Sequence, residues 1–176
     1  MRKLTLTLII LSLGWSLYAQ NSWDVHKNTF GIPEVTPSKT ITTNIYGGSD
    51  LYHNTYGIRS ITPTQTSKPN NYGGIDIYNT RYGFPEITPS KTIKSNSCGG
   101  YDVFNNKYGI PEITPAKTIR PNNLGGYHIH DTNYGFPEIA PSKTIIPNTL
   151  GGYDVYNTTQ GFPEIVPYKT IRPRDW

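Results

Sequence analysis

Short stretches in which apolar and polar residues alternate recur along almost the whole chain. The segment YDVY at 153–156 sets a β-branched residue among aromatic and polar ones, which is the pattern of a half-buried β-strand. Two further stretches, FPEIT at 84–88 and KTI at 91–93, have the same character within another copy of the unit. Turn-forming residues separate the stretches, and the Gly that ends the first turn predicts a left-handed backbone. The pattern therefore predicts an all-β fold with three short strands per unit, in a β-meander or hairpin.

The unit repeats with a constant period. Gly-Gly pairs begin at Gly47, Gly73, Gly99, Gly125 and Gly151, a spacing of 26 residues without insertion or deletion. An earlier copy lacks the Gly pair but matches the later ones from residue 23 onward. Such self-similarity is the signature of a repeat architecture. The six repeats are 21–46, 47–72, 73–98, 99–124, 125–150 and 151–176.

Prolines and repeated charges bear on how these units stack. Proline has no backbone N–H to donate to a β-ladder, so it disfavours continuous pairing between repeats. Stacking in a tight β-helix would also place Asp76 and Asp102 about 4.8 Å apart, where like charges repel. We therefore predict an open, solenoid-like tandem-repeat array, with Trp23 and Trp176 covering its two ends. The alternative is a closed, propeller-like ring, although 26 residues are few for a propeller blade.

The N-terminus differs from the repeats. Arg2 and Lys3 precede an apolar run at 4–13, and a small residue, Ala19, follows. This is the pattern of a secretory signal peptide at 1–19, which leaves 20–176 as a single repeat domain. The apolar run is shorter than a membrane-spanning helix, and we expect no transmembrane segment after cleavage. The predicted destination is outside the cytoplasm: extracellular, periplasmic or at the cell surface.

Composition excludes several classes of protein. Charged residues make up 16% of the chain and the formal net charge is +4, without the clustered basic residues that nucleic-acid binding requires. Cys98 is the single cysteine, so no disulfide within the chain is possible. It stands at the last position of its repeat, where other copies carry Tyr46 or Leu124, and we expect a small buried apolar residue there.

Catalytic chemistry finds no support in the sequence. An enzyme needs one asymmetric set of nucleophile, base and charge stabiliser, whereas Ser, Asp and Glu recur here with the repeat. His128 and His130 share a strand face, but no third ligand accompanies them, and His26 occupies the same repeat position as His130. We predict no enzyme, no catalytic residue, no metal and no cofactor.

A repeated polar and aromatic surface is the best candidate for a binding site. Residues two apart on a strand share one face, so each first strand presents an Asp beside a Tyr. A Tyr ring stacks on the apolar side of a sugar while a carboxylate binds its hydroxyls. The competing interpretation packs these Tyr side chains in a thin core. The candidate ligand-binding residues are Asp50, Tyr52, Asp76, Tyr78, Asp102, Asp154 and Tyr156.

These observations lead to three functional hypotheses. The first is a secreted, non-catalytic, multivalent binding or adhesion scaffold whose partner is a polysaccharide, cell-envelope material or a cell-surface protein. The second is a structural spacer or self-assembling surface protein without a small-molecule ligand, associating through strands exposed at the ends of the array. The third is a hydrolase.

Overall fold

A computed structural model describes residues 22–174, and the segment assigned to the signal peptide lies outside this range. The described chain consists of β-strands and turns, so the predicted all-β class is confirmed. Each repeat contributes a long, a very short and a five-residue strand. The long strands are β1 (Ser22–Thr29), β4 (Ser49–Thr55), β7 (Ile75–Arg81), β10 (Tyr101–Lys107), β13 (Tyr127–Asn133) and β16 (Tyr153–Thr159). The two-residue strands are β2 (Ile32–Pro33), β5 (Ile58–Arg59), β8 (Phe84–Pro85), β11 (Ile110–Pro111), β14 (Phe136–Pro137) and β17 (Phe162–Pro163). The five-residue strands are β3 (Lys39–Thr43), β6 (Gln65–Pro69), β9 (Lys91–Ser95), β12 (Lys117–Pro121), β15 (Lys143–Pro147) and β18 (Lys169–Pro173).

Each repeat is a β-hairpin whose returning strand is interrupted. In the first repeat, Thr29 lies opposite Ile32 near the turn, and Trp23 lies opposite Ile41 farther down the long strand. The turn has Phe30 at φ 51° and Gly31 at φ 81°, and the same pair of left-handed residues recurs in every repeat. Two consecutive left-handed residues are the signature of a tight type I′ turn. The left-handed Gly was predicted, but the left-handed residue before it was not.

The sheet closes on itself. Each five-residue strand pairs with the long strand of its own repeat and with that of the next, as β3 does with β1 and β4. The last such strand, β18, pairs with β1, so the long and five-residue strands form a 12-stranded antiparallel barrel. The predicted open, solenoid-like array is therefore wrong. The alternative prediction, a closed propeller-like ring, was right about closure, but the ring is a β-barrel rather than a propeller.

The arguments against continuous pairing fail for geometric reasons. Prolines such as Pro121 and Pro147 stand at the last residue of a five-residue strand, where little of the ladder is interrupted. Asp76 and Asp102 are separated by the intervening strand β9, where they lie opposite Thr92 and Lys94, so they are more than two strand spacings, about 9.6 Å, apart. Neither feature opposes closure.

The barrel has an inner face and an outer wall. Each of the twelve strands places one central side chain inside, and the large apolar ones are 0–2% exposed. The described chain contains only strands and turns, so side chains buried this completely lie inside the barrel. Ser67 takes the apolar position in β6. The apolar inner ring consists of Val25, Ile41, Leu51, Ile77, Ile93, Val103, Ile119, Ile129, Ile145, Val155 and Ile171.

The two ends of the barrel differ. Because the long strands alternate with antiparallel neighbours, they all run in one direction, and all six type I′ turns lie at the same end, here called the tip end. The Gly-Gly turns lie at the other, the turn end. Inside the turn end, Trp23, Ile75, Tyr101, Tyr127 and Tyr153 pack against the apolar inner ring.

Candidate functional site

The Asp and Tyr residues predicted to bind ligand lie on the outer wall. Asp50 and Tyr52 flank Leu51, which is fully buried inside, so their side chains point to the opposite face of the sheet. The same alternation places the other five candidates on the outer wall of their own repeats. The Tyr residues that pack against the core are those at the turn end, such as Tyr127, rather than the predicted ones.

In four of the five Gly-Gly turns an Asn orients the neighbouring Asp, and in the turn that contains Asn122 the equivalent position is His128. Asn44 Oδ1 accepts hydrogen bonds from the backbone N–H groups of Tyr46 (3.0 Å) and Gly48 (2.9 Å). The amide of Asn44 then donates to Asp50 Oδ1 at 3.1 Å and to the Ser67 carbonyl at 3.0 Å. This arrangement fixes the Asp50 carboxylate and links the turn to β6, the returning strand of the second repeat.

The other acidic candidates are held in the same way. Asp76, Asp102 and Asp154 each accept through Oδ1 from the Asn of their own turn, at 3.1, 3.2 and 3.3 Å. Asp76 and Asp154 also accept from the hydroxyls of Thr92 and Thr170, both at 2.7 Å. Part of the reason why an Asp recurs at this position is therefore structural.

The predicted Tyr residues are half-buried. Partial burial raises the pKa values of the Tyr78 and Tyr156 phenols, and the neighbouring charges of Asp76 and Asp154 raise them further. Each phenol can therefore donate a hydrogen bond as well as accept one. Cations also contact these rings: Arg59 Cζ lies 4.5 Å from the ring centre of Tyr52.

An open groove of about 620 Å³ lies on the outer wall around the second repeat, and residues of the first and third repeats also line it. This volume lies within the range of small-molecule sites, about 300–1,000 Å³. Asp50 and Tyr52 line it, beside two more aromatic residues, Tyr46 and Phe84. The remaining lining residues are Thr42, Thr43, Asn44, Ile45, Pro63, Thr66, Gly83 and Pro85. The groove thus combines aromatic rings with hydroxyl, amide and carboxylate groups.

The structure brings only two of the seven candidates to this groove. Asp76, Tyr78, Asp102, Asp154 and Tyr156 occupy equivalent positions on other repeats, around the wall. Sequence reasoning missed Tyr46 and Phe84, because they belong to a turn and to the two-residue strand β8, where strand alternation gives no orientation. Phe84 is 76% exposed, an exposure that only the structure reveals.

The prediction for the last residue of each repeat is wrong. Cys98 is exposed, and its backbone N–H donates to Asn96 Oδ1 at 3.1 Å. Its counterparts Tyr46, Tyr72, Leu124 and Leu150 are also more than half exposed. This position lies within the Gly-Gly turn, outside the ladder, where no alternation directs a side chain inward.

The histidines are used in local hydrogen bonds. His130 Nδ1 lies 2.7 Å from the Glu138 carbonyl oxygen, and His26 makes the equivalent contact with Glu34. His128 Nδ1 lies 3.0 Å from the Thr144 hydroxyl. Among residues 22–174 no group of three His, Cys, Asp or Glu side chains is arranged to hold a metal ion.

A ring of polar side chains lines the inner face near the tip end. It is formed by the first residue of each five-residue strand and the residue opposite on the next long strand. Lys91 Nζ donates to Asn105 Oδ1 at 2.6 Å and Lys143 Nζ to Asn157 Oδ1 at 2.8 Å, while Lys117 forms an ion pair with Asp131. The pairs of this polar ring are Lys39–His53, Gln65–Asn79, Lys91–Asn105, Lys117–Asp131, Lys143–Asn157 and Lys169–Lys27.

Comparisons of the chain with protein-family models, with curated proteins and with solved structures give no match. The described residues contain no helix of the length and hydrophobicity needed to cross a membrane.

Proposed function

We propose that this chain is a secreted, non-catalytic binding or adhesion protein that holds polysaccharide or other hydroxyl-rich cell-envelope material on its outer wall. The observation that carries this proposal is the groove of the second repeat, where Tyr46, Tyr52 and Phe84 lie beside Asp50. The N-terminal signal-peptide pattern at 1–19 supports export.

The lining of the groove suits a sugar. An aromatic ring stacks on the apolar face of a pyranose, and the carboxylate and amide groups bind its hydroxyls. Cations orient two of the rings: Arg59 lies over Tyr52, and Lys68 Nζ lies 4.0 Å from the ring centre of Tyr46. The carboxylate of Asp50 is already fixed by Asn44, so little side-chain entropy is lost on binding.

Repetition supports multivalent binding. Related Asp and aromatic positions recur around the barrel, so a polymer that contacts several repeats gains avidity without any strong single site. The competing hypothesis of a self-assembling protein loses its expected interface, because β1 and β18 pair with each other and leave no free array end. A spacer without any ligand is the remaining alternative.

Retention on insoluble polysaccharides tests the proposal. The full mature chain should be retained on at least one of cellulose, chitin, xylan or peptidoglycan. Tyr52→Ala should weaken retention roughly three- to tenfold, since aromatic contacts contribute about 0.5–1.5 kcal/mol. The matched control is Tyr72→Ala, which removes a 90% exposed Tyr that does not line the groove.

Two outcomes count against the proposal. Failure of the wild-type chain to bind any of these materials favours the spacer, and equal loss in the Tyr52 and Tyr72 variants rejects the groove as the site. Truncation to fewer repeats is unsuitable as a test, because it removes strands from a closed barrel. Export is tested separately by N-terminal sequencing of the secreted chain, which should begin at Gln20.

A further inference from the structure

A crown of exposed apolar side chains surrounds the tip end of the barrel. Every repeat contributes an aliphatic residue that follows its two-residue strand, and five of the six repeats contribute an aromatic residue at the left-handed turn position. Each of these side chains is at least 84% exposed. The apolar crown consists of Phe30, Tyr56, Tyr82, Tyr108 and Tyr134 at the turns, and of Val35, Ile61, Ile87, Ile113, Ile139 and Ile165 after the short strands.

The apolar crown is continuous around the barrel. The tip of each repeat packs against the segment that follows the aliphatic crown residue of the preceding repeat: a Cβ atom on Gly109 would lie 3.0 Å from Thr88 Cβ. A Cβ atom on Gly31 would lie 2.8 Å from Val166 Cβ, so the same contact crosses the seam between the last repeat and the first. Monomeric proteins rarely expose a continuous apolar surface of more than a few hundred Å², and larger ones are interaction surfaces.

Cations are confined to one half of the apolar crown. Arg81 Cζ lies 5.5 Å from the ring centre of Tyr82, and Lys107 Nζ lies 5.9 Å from that of Tyr108. Arg59 stands in the short strand of the second repeat, so three consecutive repeats carry a cation at the tip. The fifth, sixth and first repeats have no cation at the equivalent positions.

Carboxylates have a different distribution. Every repeat except the second has an exposed Glu directly before its aliphatic crown residue: Glu34, Glu86, Glu112, Glu138 and Glu164. In the third and fourth repeats this Glu accompanies the tip cation, whereas in the fifth, sixth and first repeats it is the charge that remains. One half of the crown is therefore negative relative to the other.

We propose that the apolar crown is the interface of a homodimer in which two copies of this chain meet tip end to tip end. A twofold axis lying across the crown can place the second repeat of one copy against the first repeat of the other. Because the repeats follow one another in order around the barrel, the same rotation places the third against the sixth and the fourth against the fifth. Each cation then faces a Glu of a tip without a cation, in the pairs Arg59–Glu34, Arg81–Glu164 and Lys107–Glu138.

The exposed area is sufficient for such a dimer. At about 150 Å² each, the five aromatic side chains of the crown alone amount to roughly 750 Å². A standard protein–protein interface buries about 800 Å² on each partner. The aliphatic crown residues bring the available area above this value.

A second copy suits the apolar crown better than a lipid surface does. Segments that bind membrane surfaces are rich in Lys and Arg, which anionic lipids attract. The crown instead carries five exposed Glu residues next to the side chains that would enter the bilayer. A second copy places cations opposite three of them. The outer wall stays free in this dimer, so the inference does not depend on polysaccharide binding.

Sedimentation velocity of the full mature chain measures the association. With a Kd of a few micromolar, the weak end of the range for interfaces of this size, the chain should be monomeric at about 0.1 μM and dimeric at about 100 μM. Arg81→Glu and Glu164→Arg each replace two symmetry-related attractions by repulsions, and each should weaken dimerisation roughly tenfold. Lys94→Glu makes the same change in charge at an exposed position on the outer wall and should dimerise as the wild type does.

Mixing the two single variants tests the arrangement itself. In the mixed dimer, the new Glu at position 81 faces the new Arg at position 164, and the second contact is the wild-type one. The mixture, and a chain that carries both substitutions, should therefore dimerise within about threefold of the wild type, because both contacts are attractive again. A variant that had merely lost its fold would not recover in this way.

Three results would overturn the proposal. They are a wild-type chain that stays monomeric at about 100 μM, single variants that dimerise as tightly as the wild type, and a mixture that dimerises no better than either variant alone. Co-sedimentation of a monomeric wild type with vesicles of phosphatidylcholine and phosphatidylglycerol would assign the crown to a lipid surface instead.

Discussion

Val25 in the first strand lies directly opposite Ile171 in the last strand of the described chain. Both side chains are fully buried in the apolar inner ring, so the two ends of the chain complete one core. The fold therefore depends on the pairing of β1 with β18, which closes the barrel.

A disulfide should form across the seam between β1 and β18. Asp24 and Arg172 are directly opposite each other on the outer wall, and the Cα separation of such a pair, about 4.5–5.5 Å, is one that a disulfide can span. In a Cys98→Ser background, Asp24→Cys with Arg172→Cys should form an intramolecular cross-link under mild oxidation, visible by non-reducing electrophoresis. Asp24→Cys with Lys94→Cys, which joins β1 to β9, should give none within a monomer. Failure of the seam pair, with the protein still folded, would contradict closure.

The pH dependence of stability should carry the signature of Lys39. Its folded pKa of about 8 lies below the unfolded value of 10.5, so the unfolded chain binds more protons between these two pH values. The free energy of unfolding should therefore rise from pH 8 to pH 10.5, and the penalty should be fully present below pH 8. The gain is at most about 3 kcal/mol, and smaller where solvent screens the charge.

Lys39→Met isolates this effect, because it removes the titrating group and keeps the length of the side chain. Urea unfolding of both chains in phosphate-free buffer at pH 7 and pH 10 gives four free energies. The increase with pH should be larger in the wild type than in Lys39→Met. An identical increase in the two chains would mean that Lys39 titrates normally.

Shortening a side chain at the central inner position should lower the free energy of unfolding more at Ile145 than at Ser67. Ile145→Ala removes a fully buried side chain and should lower the free energy of unfolding by about 2–5 kcal/mol. Ser67→Ala removes the hydroxyl that accepts from the Ser49 N–H at 2.8 Å, and should cost about 1–3 kcal/mol for the unpaired donor. Urea denaturation measures the free energy of unfolding of both variants. A larger decrease for Ser67→Ala than for Ile145→Ala would contradict the assignment of Ile145 to the core.

The left-handed aromatic residues at the tips should be a source of strain. Tyr108 has φ 51° and is 88% exposed, so its ring gains little packing in return. Asn tolerates this conformation and is favoured in type I′ turns, and Tyr108→Asn should raise the free energy of unfolding by about 0.5–1 kcal/mol. Tyr108→Ala, which keeps the strain and removes the ring, is the control and should have little effect on stability.

The next residue in that turn should not tolerate a side chain. Gly109 has φ 82°, and a Cβ atom there would lie 3.0 Å from Thr88 Cβ in the preceding repeat. Gly109→Ala should therefore destabilise the barrel by more than 1 kcal/mol. Gly99 is also left-handed but has open space around it, so Gly99→Ala measures the conformational cost without this contact. An equal loss for Gly109→Ala and Gly99→Ala would show that the tips do not touch.

The local elements were predictable from sequence, but their assembly was not. Alternation about Val155 identified the long strands, and the Gly of each tip identified the turns. Closure depends on the register between Asp24 and Arg172, which no pattern within a single repeat specifies. The prolines misled the prediction because the pattern did not show that Pro121 and its counterparts end their strands rather than interrupt them.

The sequence predicted only those residues of the candidate site that lie on the long strands. Asp50 and Tyr52 were assigned to one face because strand periodicity requires it, and both line the groove. Tyr46 and Phe84 come from turn segments that approach the wall in three dimensions, so sequence spacing gave no signal for them. The lysines Lys27, Lys39 and Lys169 likewise come near one another only because β18 pairs with β1 in the closed barrel.

Closure links the width of the barrel to the number of repeats. In a barrel of given tilt, each added pair of strands widens the circumference, and the opposite walls then move apart. Residues such as Ile119 and Ile129 are fully buried inside this ring, so a seventh copy should widen the space around them and admit water. An open array can gain a repeat at one end without changing the others, whereas in this barrel the number of repeats sets the width of the core.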